Sequence, residues 1–223
     1  MKTGPDQIKK NLKNQDPQNQ DMQNQDKTIV VAISGASGSI YGVRLLKELI
    51  ETGCRVLIIL SRAGQKVLAH EMGYDPDKSF LLFLEQYGVD FGRGVVPEIF
   101  FQDEIASAPA SGSFIHHGMA VVPCSMKTLS AVASGYADNL ITRSCDVSLK
   151  EKRPLVLVPR ETPFGLIHLE NMTRAARAGA VILPPCPSFY TFPATIEDLV
   201  DTVVARIMDH LGVVNELGTR WGS

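Results

Sequence analysis

Five short, largely apolar runs punctuate the chain, at Ile29–Ile33, Arg55–Leu60, Met119–Val122, Leu155–Val158 and Ala180–Leu183. Each is of strand length and lacks the alternation of a half-solvated strand, so each predicts a strand covered on both faces. Between the runs the spacing becomes helical. Tyr41–Glu51 puts Val43, Leu46 and Ile50 on one face, Lys127–Ala137 follows the third run, and Leu169–Ala178 ends at Gly179, a residue suited to closing a helix. A last helix is predicted from Thr195, with Asp198 as its capping-box partner, to about His210, before Gly212.

Strands that alternate with helices are joined by crossovers, which makes them parallel. The expected fold is α/β, a doubly wound parallel sheet in a single domain. Two stretches fall outside this pattern. Residues 1–27 are rich in Asn, Gln, Asp and Lys and carry the near-repeats Asn14-Gln15-Asp16, Asn19-Gln20-Asp21 and Asn24-Gln25-Asp26. With almost nothing to bury, they are expected to form a disordered polar tail, leaving 28–223 as the folded domain. Segment 73–118 is broken repeatedly by glycine and proline and is expected to hold loops, a helix and one strand near Ile99–Gln102.

At 223 residues, with 44% hydrophobic and 21% charged residues, the chain can bury a core, which excludes collagen-like and wholly disordered classes. A net charge of −2 gives no bulk attraction to nucleic acid or anionic membrane, so any anion recognition must be local. No apolar run approaches the roughly 18 residues of a spanning helix. Cys54, Cys124, Cys145 and Cys186 form no C-x-x-C pair and suit neither zinc nor a disulfide framework, as expected of a protein in the reducing cytoplasm.

In such sheets ligands bind beyond the carboxyl ends of the strands. The segments at those ends share a character: Ser34-Gly35-Ala36-Ser37-Gly38-Ser39 after the first strand, Ser61-Arg62 after the second, then Pro123-Cys124-Ser125-Met126-Lys127-Thr128, then Pro159-Arg160-Glu161-Thr162, and finally Ser188-Phe189-Tyr190. Small hydroxyl residues, helix-start amides and isolated cations together make an anion site. The glycine spacing is neither G-x-G-x-x-G nor Walker A, so no dinucleotide or triphosphate is signalled. Two serine-rich helix starts on one sheet edge fit a phosphate at one and a ring system near the other. His116 and His117 lack partners at ligand spacing and His168 is placed to cap the next helix, so none is assigned to a metal.

The segments G-A-S-G-S-I-Y-G-V-R-L-L, P-C-S-M-K-T-L-S, L-K-E-K-R-P-L-V-L-V-P-R-E-T-P, H-L-E-N-M and P-x-F-Y resemble those of the UbiX-type flavin prenyltransferases, over about residues 28–222. These belong to a wider group of homo-oligomeric flavin-containing cysteine decarboxylase-like flavoproteins. The resemblance implies a Rossmann-like flavoprotein that holds FMN at a subunit interface of a large homo-oligomer, a dodecamer. It implies transfer of the dimethylallyl group of dimethylallyl monophosphate to N5 and C6 of reduced FMN. The prenylated FMN would serve a UbiD-type decarboxylase, in a ubiquinone-type pathway. Carried over residue by residue, it implies FMN contacts at Gly35, Ala36, Ser37, Ser61, Ser125, Met126, Lys127, Thr128 and Arg160. It implies prenyl-phosphate contacts at Arg143, Lys150, Arg160, Glu161, Tyr190 and Arg206, Trp221 against the dimethylallyl group, and Ser37 and Glu71 near the flavin N5, with Ser37, Glu71 and Glu161 as catalytic residues. The Tyr136-Ala137-Asp138-Asn139 stretch belongs to the variable part of the pattern.

The residues themselves agree on one point. The chain has no D-D-x-x-D cluster to hold magnesium, so a departing phosphate must be neutralised by cations such as Lys150, Arg160 and Arg206 with Glu161 as the acid. Each residue also has a plainer reading: Lys150-Glu151-Lys152-Arg153 as a solvated helix end, Glu161 as a loop ion pair, Glu71 as a helix surface charge, Trp221 as part of a loose tail. Two rival functions stand beside transfer, an FMN-dependent cysteine decarboxylase and a non-catalytic FMN carrier. No NAD motif is visible, so a separate flavin reductase is expected. Val95, Val96, Ile99, Phe100, Phe101, Phe114 and Ile115 lie among loops and call for a partner surface, again a homo-oligomer.

Overall fold

The computed structural model describes residues 24–93 and 96–218. In chain order the elements are β1 (Thr28–Ile33), α1 (Ser39–Glu51), β2 (Arg55–Leu60), α2 (Arg62–Met72), α3 (Phe80–Gln86), β3 (Glu98–Phe101), β4 (Gly118–Cys124), α4 (Met126–Ser134), α5 (Leu140–Lys150), β5 (Leu155–Pro159), α6 (Leu166–Arg177), β6 (Val181–Ile182) and α7 (Ile196–His210). The strands form one parallel sheet in the order β3-β2-β1-β4-β5-β6. The order reverses between β1 and β4, and a doubly wound sheet opens its ligand crevice at such a reversal.

The continuous apolar runs are explained by two layers of cover. Ile29, Val31 and Ile33 of β1 face α1 and α7, packing with Leu46, Leu49, Val203 and Ile207. Val30 and Ala32 face the other way, toward Leu129 of α4, Ile141 and Cys145 of α5 and Ala175 of α6. The first layer comes so close that a Cβ on Gly42 would overlap the Val122 carbonyl oxygen, which fixes α1 against β4. No helix among the described residues is long and apolar enough to cross a membrane.

Several boundaries depart from expectation, each for a local reason. Residues 24–27 are not tail: Asn24 is 1% exposed and bonded to Val214. The helix expected over 127–137 is Met126–Ser134, because Gly135 turns left-handed (φ 69) and closes it. Asn139 then opens α5, its side chain accepting from the amides of Ile141 and Thr142, so the 136–139 stretch that supported nothing in the sequence sets a helix start. The buried side of α5 includes Ser144 and Ser148, whose hydroxyls donate to carbonyls one turn back, and this polar face hides the helical period. α2 buries only Gly64 and Leu68 and so shows no apolar stripe. α6 starts at Leu166 rather than 169, with His168 Nδ1 accepting from Gly165 N at 3.2 Å as expected of a capping residue. Thr195 and Asp198 form the expected capping box on α7.

Candidate active site

The reversal point is held by a serine. Ser34 is buried at the end of β1; its N–H and hydroxyl donate to the Pro123 carbonyl at 3.2 and 2.8 Å, and its Oγ accepts from Ser125 N at 2.8 Å. Ser125 in turn caps α4, its Oγ accepting from Thr128 N at 3.2 Å and lying 3.0 Å from Thr128 Oγ1. The amides of Met126 and Lys127 then have no partner among the described residues. Two unclaimed N–H groups at the positive end of a nine-residue helix form a cradle for an anion.

The other serine-rich start is different. Gly38, at φ 100, provides no side chain to cap α1. The cap comes from α2: Glu71 accepts from Gly38 N at 3.0 and 3.2 Å and from Ser39 N at 2.9 Å. Burial pushes the Glu71 pKa up, but hydrogen bonds from the Ser37 hydroxyl and these two amides prevail and hold it below the usual carboxylate value. Ser37 and Glu71 are therefore brought together, as expected, and Glu71 is more than a surface charge. Its carboxylate thus occupies the Gly38 and Ser39 amides of the α1 start, whereas at α4 no carboxylate among the described residues reaches the Met126 and Lys127 amides.

Arg160 follows β5 and donates from Nε to the Ser37 carbonyl at 3.1 Å, tying the third strand of the crevice to the β1–α1 loop. Its two Nη groups have no partner among the described residues and remain available to an anion. Glu161 is exposed, with Oε1 accepting from Thr162 N at 2.9 Å; it makes no ion pair among the described residues.

A cleft of about 310 Å³ gathers Gly35, Ser61, Ser125, Lys127 and Thr128 of the expected flavin contacts. Ser61 caps α2 there, its Oγ accepting from Gly64 N at 2.8 Å. Ala36 and Ser37 of the β1–α1 loop and Met126 at the start of α4 are chain neighbours of these residues without lining the cleft, and Arg160, in the separate loop after β5, does not line it either. Sequence reasoning missed the far wall, made by Gln102, Tyr136, Asp138, Asn139 and Thr142. The signal for it was present in Asn139-x-x-Thr142, the pattern of a helix start.

The expected prenyl-phosphate residues are not gathered in one place. Tyr190 and Arg206 line a second cavity of about 410 Å³, walled by α7, which covers the opposite face of the sheet from α4 and α5. Arg206 Nη1 lies 3.3 Å from Asp209 Oδ2. Lys150 is at the last turn of α5, five residues ahead of β5, whereas Arg160 comes directly after that strand, so roughly 16 Å of strand separates their ends of the sheet. Lys150 pairs with Glu151 at 2.5 Å, and Arg143 pairs with Asp146 at 2.9 Å. Trp221 lies outside the described residues. The buried cysteines are held in the thiol form: burial pushes the Cys54 thiol up to about 11, that of Cys124 to about 12, and that of Cys145 well above its usual value.

A parallel sheet with this strand order, an amide cradle at the reversal point and a neighbouring arginine defines a nucleotide-type α/β binding protein, and a family model described as Flavoprotein matches residues 17–208. The chain is thus a flavoprotein by class. The flavin prenyltransferase UbiX of Pseudomonas aeruginosa is 48% identical over 198 residues, covering 87% of this chain and 93% of that protein. The chain belongs to the flavin prenyltransferase family. Among solved structures it resembles AnUbiX (PadA1) in complex with FMN and dimethylallyl pyrophosphate, with a TM-score of 0.79, 40% identity and coverage of 88% of this chain and 98% of that one. It also resembles a dodecameric FMN-dependent UbiX-like decarboxylase from Escherichia coli O157:H7, with a TM-score of 0.77, 38% identity and coverage of 88% and 100%.

Proposed function

We propose that this chain transfers the dimethylallyl group of dimethylallyl monophosphate to N5 and C6 of reduced FMN. The observation that carries the reading is the pair of unclaimed amides at Met126 and Lys127, with the Arg160 Nη groups available nearby, at the reversal point of a flavoprotein sheet. These groups fit the phosphate of FMN, and Ser61, Thr128 and the 135–142 wall bound the cleft beside them. Reduced flavin supplies the nucleophilic N5 and C6. The chain supplies position and charge: Glu71, ionised by its hydrogen bonds, orients the Ser37 hydroxyl and is the acceptor to which a proton released at N5 is relayed.

The allylic C–O bond breaks as phosphate leaves, and the departing charge calls for cations and an acid. Lys150, Arg143, Tyr190 and Arg206 serve that phosphate with Arg160, and Glu161 donates the proton. One chain holds these residues apart, which supports a homo-oligomer in which neighbouring copies complete each site. Exposed Leu166, Ile167, Phe189 and Phe192 supply apolar surface for such contacts. The product passes to a UbiD-type decarboxylase, a separate reductase supplies reduced FMN, and the protein works in the cytoplasm.

The test is an anaerobic single turnover with reduced FMN and dimethylallyl monophosphate, read by absorbance and product mass. A flavin heavier by one dimethylallyl group is expected. Decarboxylation of a cysteinyl peptide without prenyl transfer would establish the cysteine decarboxylase, and tight FMN binding with neither reaction would establish the carrier.

A further inference from the structure

We propose that Asn24 is a positioning residue for the Tyr190–Arg206 cavity, acting through the C-terminal segment 212–218 that it clamps; this rests on reading that cavity as the prenyl-phosphate site. Asn24 belongs to a strongly polar stretch, yet it is 1% exposed. Its side-chain amide acts as a strand edge. Nδ2 donates to the Val214 carbonyl at 3.0 Å, and Oδ1 accepts from Val214 N at 3.2 Å, so one side chain satisfies both main-chain groups of a residue 190 positions away. Lys27 adds a second grip, its Nζ donating to the Gly212 carbonyl.

The clamped segment leads directly to the cavity. Val213 N closes the end of α7 on the Met208 carbonyl at 2.9 Å. Beyond that point, the backbone amides of 215–218 make no hydrogen bond among the described residues, so side chains hold the segment down: Asn24 and Lys27 from the other end of the chain, the Asn215 side chain, and the packing of Val213 and Leu217 on the core. Asn215, next to the clamped residue, donates from Nδ2 to Asp209 Oδ1 at 3.3 Å, and Asp209 is the partner of Arg206. Leu217 and Gly218 form part of the cavity wall. A path of direct contacts thus runs from Asn24 through Val214 and Asn215 to Asp209 and Arg206. Releasing the clamp frees the wall and loosens the guanidinium's partner while leaving the flavin cleft, on the other face of the sheet, untouched.

The experiment compares four forms of the full chain: wild type, Asn24→Ala, Asn24→Asp, and a truncation of residues 1–23 that keeps Asn24. Removing two hydrogen bonds of ordinary net strength is expected to speed amide exchange at Val213 and Val214 by about tenfold and to raise KM for dimethylallyl monophosphate by roughly the same factor. FMN affinity and kcat should stay near wild type. Asn24→Asp, which sets a buried carboxylate oxygen against the Val214 carbonyl oxygen, should lose at least as much as Asn24→Ala, and the truncation should match wild type. Unchanged exchange in Asn24→Ala overturns the proposal, as does faster exchange with an unchanged KM, or a parallel loss of FMN affinity, which would mark general damage to the fold. A wild-type protein that turns over no prenyl phosphate overturns the functional reading instead, and the clamp is then decided by the exchange rates alone.

Discussion

The two serine-rich helix starts have nearly the same composition and opposite fates. At α4, Ser125 caps its own helix through Thr128 N and leaves the Met126 and Lys127 amides open. At α1, Gly38 has no side chain to offer, and Glu71 arrives from another helix to occupy the Gly38 and Ser39 amides. A helix N-terminus attracts negative charge, and the protein supplies that charge itself to two amides at α1 while two at α4 stay without a partner among the described residues. What separates an anion site from a structural cap is whether a carboxylate of the fold reaches it first.

The largest expected effect comes from removing the frame common to both starts. Gly42→Ala places a Cβ against the Val122 carbonyl, so α1 must lift from β4; a loss of about 3 kcal/mol, at the upper end for overpacking, should appear in denaturant unfolding together with loss of FMN binding. A retained midpoint would mean that the two arms are not packed as described. Next is the α1 cap itself. Glu71→Ala should cost about 1–2 kcal/mol, the loss of a cap serving two amides.

That cap is also sensitive to pH. The folded-state pKa of Glu71 is lowered, so its stabilisation is complete at neutral pH and is lost as acid protonates it, below the ordinary carboxylate value. The melting temperature of Glu71→Gln should therefore fall less than that of wild type between about pH 5 and about pH 3. The smallest effect belongs to α4. Ser125→Ala removes one cap bond worth about 1 kcal/mol, and FMN binding should weaken more than stability, because the displaced helix start is the cradle. If FMN binding instead followed Glu71→Ala and ignored Ser125→Ala, the assignments of the two starts would have to be exchanged.

The legible part of the fold was whatever local pattern controls. The apolar runs became β1, β2, β4, β5 and β6, and Thr195-x-x-Asp198 marked the start of α7. α5 stayed hidden because Ser144 and Ser148 bury their hydroxyls against its own carbonyls, so a buried face reads as polar. Residues 24–27 read as tail for a related reason: nothing in Asn24-Gln25-Asp26 tells its neighbours that one amide will match the backbone of Val214.

The sequence by itself determined the strand–helix alternation, hence a parallel sheet, and which loops stand at its carboxyl edge, because these depend on periodicity and capping within a few residues. It also marked the chain as a flavin prenyltransferase relative through contiguous motifs. Only the tertiary structure decided which of those residues share a space. The order β3-β2-β1-β4-β5-β6 placed Ser34 beside Ser125, brought Glu71 onto α1 and Arg160 onto Ser37, and kept Lys150, Tyr190 and Arg206 at other edges and faces. Such contacts join residues tens to more than a hundred positions apart, and the crossovers and packing that set them act only once the whole sheet is assembled.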